Sequence, residues 1–108
     1  MKDLNEILDK INSSIERYEH CKLGLVQDQA EIARDLSVNL HWLTDHRKQA
    51  HEAWLSVYLN SKASSSAAKE READIKVGEL YAIRHITTSA NKVLDMIRST
   101  ISVNKSNG

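Results

Sequence analysis

Residues 4–57 read LNEILDKINSSIERYEHCKLGLVQDQAEIARDLSVNLHWLTDHRKQAHEAWLSV. Counting from Leu4 to Val57 in alternating steps of four and three gives sixteen positions, and twelve of them hold apolar residues. The four exceptions are Lys22, Gln29, Asn39 and His46. A repeat of about 3.5 residues keeps one face of a helix turned toward a partner helix over many turns. We therefore expect helical hairpins that self-associate along a heptad-like seam formed by Leu4, Leu8, Ile11, Ile15, Tyr18, Ile32, Leu36, Asn39 and Leu43.

The composition favours an all-α fold. The 108 residues contain no proline and only three glycines, and good helix formers are abundant. We expect a single all-helical domain over residues 1–108, arranged as a long antiparallel helical hairpin or a three-helix unit. The predicted helices span about 3–22, 25–59 and 67–103, with a serine-rich turn at 60–66 and a flexible polar tail at 104–108.

Local signals mark the helix ends. Asp3 can accept hydrogen bonds from the first backbone amides, with Glu6 completing a pattern like a capping box. A serine at 65 or 66 can cap the helix that follows the turn. Gly24 and Gly78 are expected to bend or break their helices, because glycine in a helix interior costs about 1 kcal/mol relative to alanine.

The charge is balanced overall but divided along the chain. The net charge is zero, with a balance of −3 over residues 1–60 (seven Lys or Arg, ten Asp or Glu) and +3 over residues 61–108 (eight against five). A basic part of this kind can pair with an acidic part of another subunit or meet phosphate. Cys21 is the only cysteine, which predicts a reducing compartment, and no apolar run is long enough to span a bilayer. We expect a cytoplasmic protein without a membrane segment.

Residues with catalytic or metal-binding spacing are missing from the sequence. It contains no glycine-rich phosphate loop, no Cys-x-x-Cys and no His-Glu-x-x-His. His41, His46 and His51 recur every five residues, which turns each about 140° around a helix from the one before, so they do not converge on one metal. We expect neither an enzyme nor a cofactor or metal site.

Two groups of residues have the chemistry for single-stranded nucleic acid. Trp54 and Tyr58 are four residues apart at the end of the long helix, where two aromatic rings can stack on unpaired bases. The alternative is that these rings close the core of the hairpin. The cations that can contact phosphates lie after them, in the turn and along the last helix: Lys62, Lys69, Arg71, Lys76, Arg84 and Arg98.

Residues from about 33 to 105 resemble the UvsY family of phage recombination mediators. The resemblance rests on Ala53-Trp54-Leu55 with Tyr58, on the small-residue turn Ser61-Lys62-Ala63, on the charged segment KEREAD at 69–74 and on VLDMIRS at 93–99. The family tends to have Lys and Arg just before the aromatic pair, where this chain has His51-Glu52-Ala53. The resemblance implies a non-enzymatic mediator that forms ring-like oligomers, binds single-stranded DNA and helps load a recombinase while displacing a single-strand-binding protein. It places Trp54, Tyr58 and Lys62 at the helix end and turn of the family.

Three functions fit these residues. The first is an oligomeric accessory protein of phage-type DNA recombination in a bacterial host cell, which binds single-stranded DNA or recombination proteins. The second is a helical interaction module that inhibits or adapts a host nuclease or replication protein. The third is a virion assembly or structural coiled-coil protein.

Overall fold

The computed structural model describes residues 2–21 and 26–107. Four helices lie in these ranges: α1 (Leu4–Cys21), α2 (Val26–Asn60), α3 (Ser66–Lys76) and α4 (Gly78–Asn107). The described residues contain no strand, and the all-α class is confirmed. The expected break at Gly24 lies outside the described residues.

Side-chain caps begin two of the helices. The backbone amide of Glu6 donates to Asp3 Oδ2 at 3.1 Å, at the start of α1. Ser65 has an extended backbone, and its hydroxyl accepts from the amide of Ala68 at 3.2 Å, so Ser65 is the N-cap of α3. Each cap satisfies a backbone donor that has no partner inside its own helix.

The chain after the serine-rich turn forms two helices rather than one. The amide of Val77 closes α3 on the carbonyl of Ala73 at 2.9 Å, and the amide of Leu80 bonds to the carbonyl of Val77 at 3.2 Å. Val77 itself leaves the helical region, with φ −121° and ψ 58°. The expected interruption therefore falls one residue before Gly78, which begins α4. The last helix also continues to Asn107, beyond the predicted end at 103, because no proline or glycine lies between Gly78 and Gly108.

Helix α2 is the longest helix and runs along most of the molecule. Its 35 residues span about 52 Å at 1.5 Å per residue, most of the 60 Å long axis. Helix α1 packs antiparallel along its first half: His46 Nε2 lies 2.5 Å from the carbonyl oxygen of Lys2, and Arg17 pairs with Asp35 at 3.1 Å. Helix α3 packs near the end of α2, and α4 returns along both α2 and α1, so the molecule is elongated.

The core lies where α1, α2 and α4 meet. Of the predicted seam, Ile11, Tyr18, Ile32, Leu36 and Leu43 are buried, and Leu4, Leu8 and Ile15 are partly buried against them. Asn39 is half-buried and donates to the carbonyl of Asp35 at 2.9 Å, one turn earlier in its own helix. The apolar seam is thus used inside one chain, since α1 and α4 supply the partner helices that the repeat requires.

None of the helices within the described ranges combines the length and the apolar character needed to cross a membrane.

Candidate nucleic-acid interface

Three rings form a row on one face of α2. His51 and Trp54 lie nearly parallel with centroids 6.5 Å apart, and Trp54 and Tyr58 lie 5.4 Å apart at 10°. Steps of three and four residues place successive side chains on the same side of a helix. We call these three residues the aromatic row.

Trp54 is the fixed member of this row. Its indole Nε1 donates to Asp74 Oδ1 at 2.8 Å, and its ring packs against the core while His51 and Tyr58 flank it on either side. The Trp54–Asp74 hydrogen bond joins α2 to α3 just beyond the serine-rich turn. This geometry favours the interpretation that Trp54 closes the hairpin. The rings of His51 and Tyr58 are left at the ends of the row, with His51 exposed.

A cleft next to the aromatic row brings cations of two helices together. It has a volume of about 380 Å³ and is lined by Thr44, Arg47, Lys48 and His51 of α2 and by Arg84 of α4. A smaller cleft of about 210 Å³ continues it, lined by Leu40, Leu43, Thr44, Arg47, Thr87 and Asn91. We call the two together the basic groove. Helices α2 and α4 form it alone.

The basic groove has a net positive charge, and its cations form no salt bridge within the described part of the chain. Arg47, Lys48 and Arg84 are exposed, and within the described part of the chain no carboxylate oxygen lies within 4.0 Å of their charged nitrogens. The hydroxyls of Thr44 and Thr87 donate to carbonyls one turn earlier in their own helices, at 3.3 and 2.7 Å. The guanidinium and ammonium groups are therefore the donors that the groove can offer to an anion.

The predicted cations around the turn do not join this groove. Lys62, Lys69, Arg71 and Lys76 line neither of its two clefts. Lys76 is paired with Glu72 at 2.9 Å. The Ser61 hydroxyl also donates to Glu72, and these two contacts, the hydroxyl first and the ammonium second, hold the pKa of Glu72 below its ordinary value. This cluster fixes the turn against α3.

Arg84, Asn91 and Arg98 recur every seven residues on α4, and this stripe lies only partly in the basic groove. Arg84 and Asn91 line the basic groove. Arg98 lies two turns further along α4, exposed and 3.6 Å from Asp95. It therefore extends the stripe past the groove without contributing to either cleft.

Sequence reasoning missed Arg47, Lys48 and His51. A signal was present, because the segment HRKQAH at 46–51 places two fixed cations and two histidines just before Trp54. The prediction concentrated on the basic C-terminal part instead. Arg47 and Lys48 become a candidate site because Arg84 lies on the opposite wall of the groove. Predicting this arrangement requires the register of α2 against α4.

No metal-binding cluster occurs in the part of the chain that the structure describes: no three His, Cys, Asp or Glu side chains there are grouped to hold an ion. His46 is engaged by the carbonyl of Lys2, whereas His51 belongs to the basic groove. Cys21 is half-buried and forms no disulfide. The groove is therefore the strongest concentration of unpaired binding groups among the described residues.

Comparison of the chain with protein-family models, with curated proteins and with solved structures found no match in any of the three.

Proposed function

We propose that this protein is a non-enzymatic helical accessory protein of phage-type DNA recombination that binds single-stranded DNA along the basic groove. The observation that supports the proposal is the meeting of Arg47 and Lys48 of α2 with Arg84 of α4 in one cleft. Contacts to phosphate supply most of the affinity of a protein for nucleic acid when sequence is not read. Three cations without acidic partners are suited to such contacts.

The exposed ring of His51 favours a single strand over a duplex. It lies at the edge of the cleft, beside the cations. An unpaired base offers a π-face that can stack on such a ring, whereas a paired base is covered by its neighbours. In this proposal the backbone of the strand follows the groove and a base rests on His51.

Self-association would strengthen binding. One groove with three cations gives only weak affinity, with a dissociation constant on the order of 10⁻⁴ to 10⁻⁶ M at physiological salt. Several grooves presented by an oligomer to one strand raise the affinity without new contacts. A recombinase or a single-strand-binding protein would be the protein partner, in the cytoplasm of a bacterial host.

Fluorescence anisotropy with a labelled oligothymidine tests the proposal. We expect binding at about 50 mM salt, with a slope of log affinity against log salt near −2, since each neutralised phosphate contributes about 0.7 for single strands. The double variant Arg47→Ala with Arg84→Ala should lower the affinity by about tenfold or more and reduce the slope to roughly −0.7. Absence of binding by the assembled wild-type protein would refute the proposed function.

The matched control removes two cations outside the groove. Lys10 lies on α1 and Lys92 is an exposed residue of α4, and neither lines the groove. Lys10→Ala with Lys92→Ala changes the net charge as much as the test variant does. We expect its affinity to stay within about twofold of wild type. An equal loss in both variants would mean that the attraction is diffuse and that the groove is not the site.

A second candidate function is supported by a different cleft. Leu8 and Asn12 of α1 and Tyr81, Ala82, His85 and Ile86 of α4 line a cleft of about 300 Å³, and Tyr81 is 74% exposed. Tyrosine is enriched at protein interfaces. A helical interaction module would lay an apolar helix face of a host nuclease or replication protein in this cleft. Tyr81→Ser would then abolish partner binding and leave DNA binding unchanged.

A further inference from the structure

The basic groove has an acidic residue at one end. Asp74 of α3 shares a third cleft, of about 400 Å³, with Gly78, Tyr81 and Arg84. The same carboxylate accepts the hydrogen bond from Trp54 Nε1. Asp74 therefore lies beside Arg84, the groove cation that shares a cleft with α3, and is hydrogen-bonded to Trp54 of the aromatic row.

Asp74 lines a cleft with Arg84 but forms no salt bridge with a described residue. Among the described residues no Lys, Arg or His nitrogen lies within 4.0 Å of its carboxylate. Its position is also unfavourable locally, because a carboxylate near the C-terminus of a helix is repelled by the helix dipole. The helix dipole does not favour an acid at this position, so the contacts of Asp74 with other elements explain its presence.

We propose that Asp74 closes the basic groove at its α3 end and so limits the length of strand that one molecule binds. The inference rests on the proposed function. A phosphate that passes Arg84 toward Tyr58 meets the Asp74 carboxylate, which forms no salt bridge, and is repelled. A bound strand is therefore confined to the segment beside Arg84, Arg47 and Lys48, with about three phosphates contacted, and the ring of Tyr58 stays unused.

The test variant is Asp74→Asn. The amide oxygen of asparagine can still accept from the indole of Trp54, so the variant removes the charge and keeps the hydrogen bond. We expect it to bind an oligothymidine of about sixteen nucleotides roughly threefold to tenfold more tightly than wild type. The salt slope should steepen by about 0.7, as one more phosphate is held.

The matched control is Glu31→Gln. Glu31 is an exposed carboxylate of α2, sixteen residues and about 24 Å from Arg47 along the helix. Glu31→Gln changes the net charge as much as Asp74→Asn does, and we expect its affinity to stay within about twofold of wild type. If Asp74→Asn binds like this control while the Arg47→Ala, Arg84→Ala variant loses binding, the proposed role of Asp74 is overturned. The proposed function then remains intact.

A length series on the wild-type protein gives an independent test. With the protein kept monomeric, as checked by light scattering, and oligothymidines of about four, eight and sixteen nucleotides, the affinity should rise only by the number of equivalent placements, because the footprint of one molecule is short. A steeper rise would overturn the inference whether or not Asp74→Asn folds. No binding at any length would refute the proposed function, and the inference with it.

Discussion

The hydrogen bond between Trp54 and Asp74 can be measured by a double-mutant cycle. The perturbations are Trp54→Phe, which removes the indole donor, Asp74→Ala, which removes the acceptor, and the two combined. Hydrogen bonds to charged groups contribute about 1.5–3 kcal/mol in general. Asp74 is exposed, so solvent screening lowers this value, and we expect a coupling free energy of about 1 kcal/mol.

Single variants would not show this value. Asp74→Ala loses the hydrogen bond but gains helix propensity and relieves the unfavourable dipole interaction near the end of α3, effects of about 0.3–1 kcal/mol each. The net destabilisation should therefore be small. Trp54→Phe also loses apolar area that packs against the core. The cycle cancels these separate terms and isolates the contact.

The assay is urea unfolding followed by far-ultraviolet circular dichroism. The exposed pair Asp95 and Arg98, 3.6 Å apart on α4, serves as the reference cycle, with an expected coupling of about 0.2–0.5 kcal/mol. A Trp54–Asp74 coupling no larger than this reference would refute the reasoning. The indole would then not fasten α2 to α3, and the interpretation of Trp54 as a base-stacking ring would regain support.

Four further predictions concern stability and assembly. Leu36→Ala should destabilise the fold by about 2–5 kcal/mol in urea unfolding, because this fully buried side chain leaves a cavity. Gly78→Ala should raise the melting temperature, corresponding to about 0.4–1 kcal/mol, since an added Cβ meets nothing within 4 Å and the backbone φ is not positive. Ser61→Ala should raise the pKa of Glu72 in an NMR titration, because it removes the hydrogen bond that lowers this pKa. Since the folded-state pKa of Glu72 is lowered, its contribution to stability is present above the unfolded pKa and is lost as the pH falls through the folded pKa. The variant should therefore lose less stability on acidification than the wild type. Asn39→Leu should leave the mass in light scattering unchanged, since Asn39 lies in a cleft between α1 and α2 of one chain, and a change of mass would show that it contacts a second copy.

Much of the fold could be predicted because it follows from local rules. The absence of proline and the apolar repeat predict helices, and the serine-rich segment predicts the corner where Ser65 caps α3. The repeat does not say which chain supplies the partner helix. Residues such as Leu36 need an apolar neighbour, and a neighbour from α1 or α4 satisfies them as well as a second copy would. The monomer core and an oligomer seam therefore give the same sequence pattern.

The candidate site was predicted less well, because it depends on register between distant segments. Arg47 and Arg84 line one cleft, and Leu40 and Asn91 line the next. The two residues on each helix are seven positions apart, in opposite chain directions, and this sets the register of α2 against α4. A simple hairpin centred on residue 63 would place Arg47 opposite residue 79 instead. The difference of five residues arises between the corner and α4, where α3 is a separate helix that ends at Val77. A break of one residue in the backbone thus decides which cations meet, and periodicity alone does not contain that information.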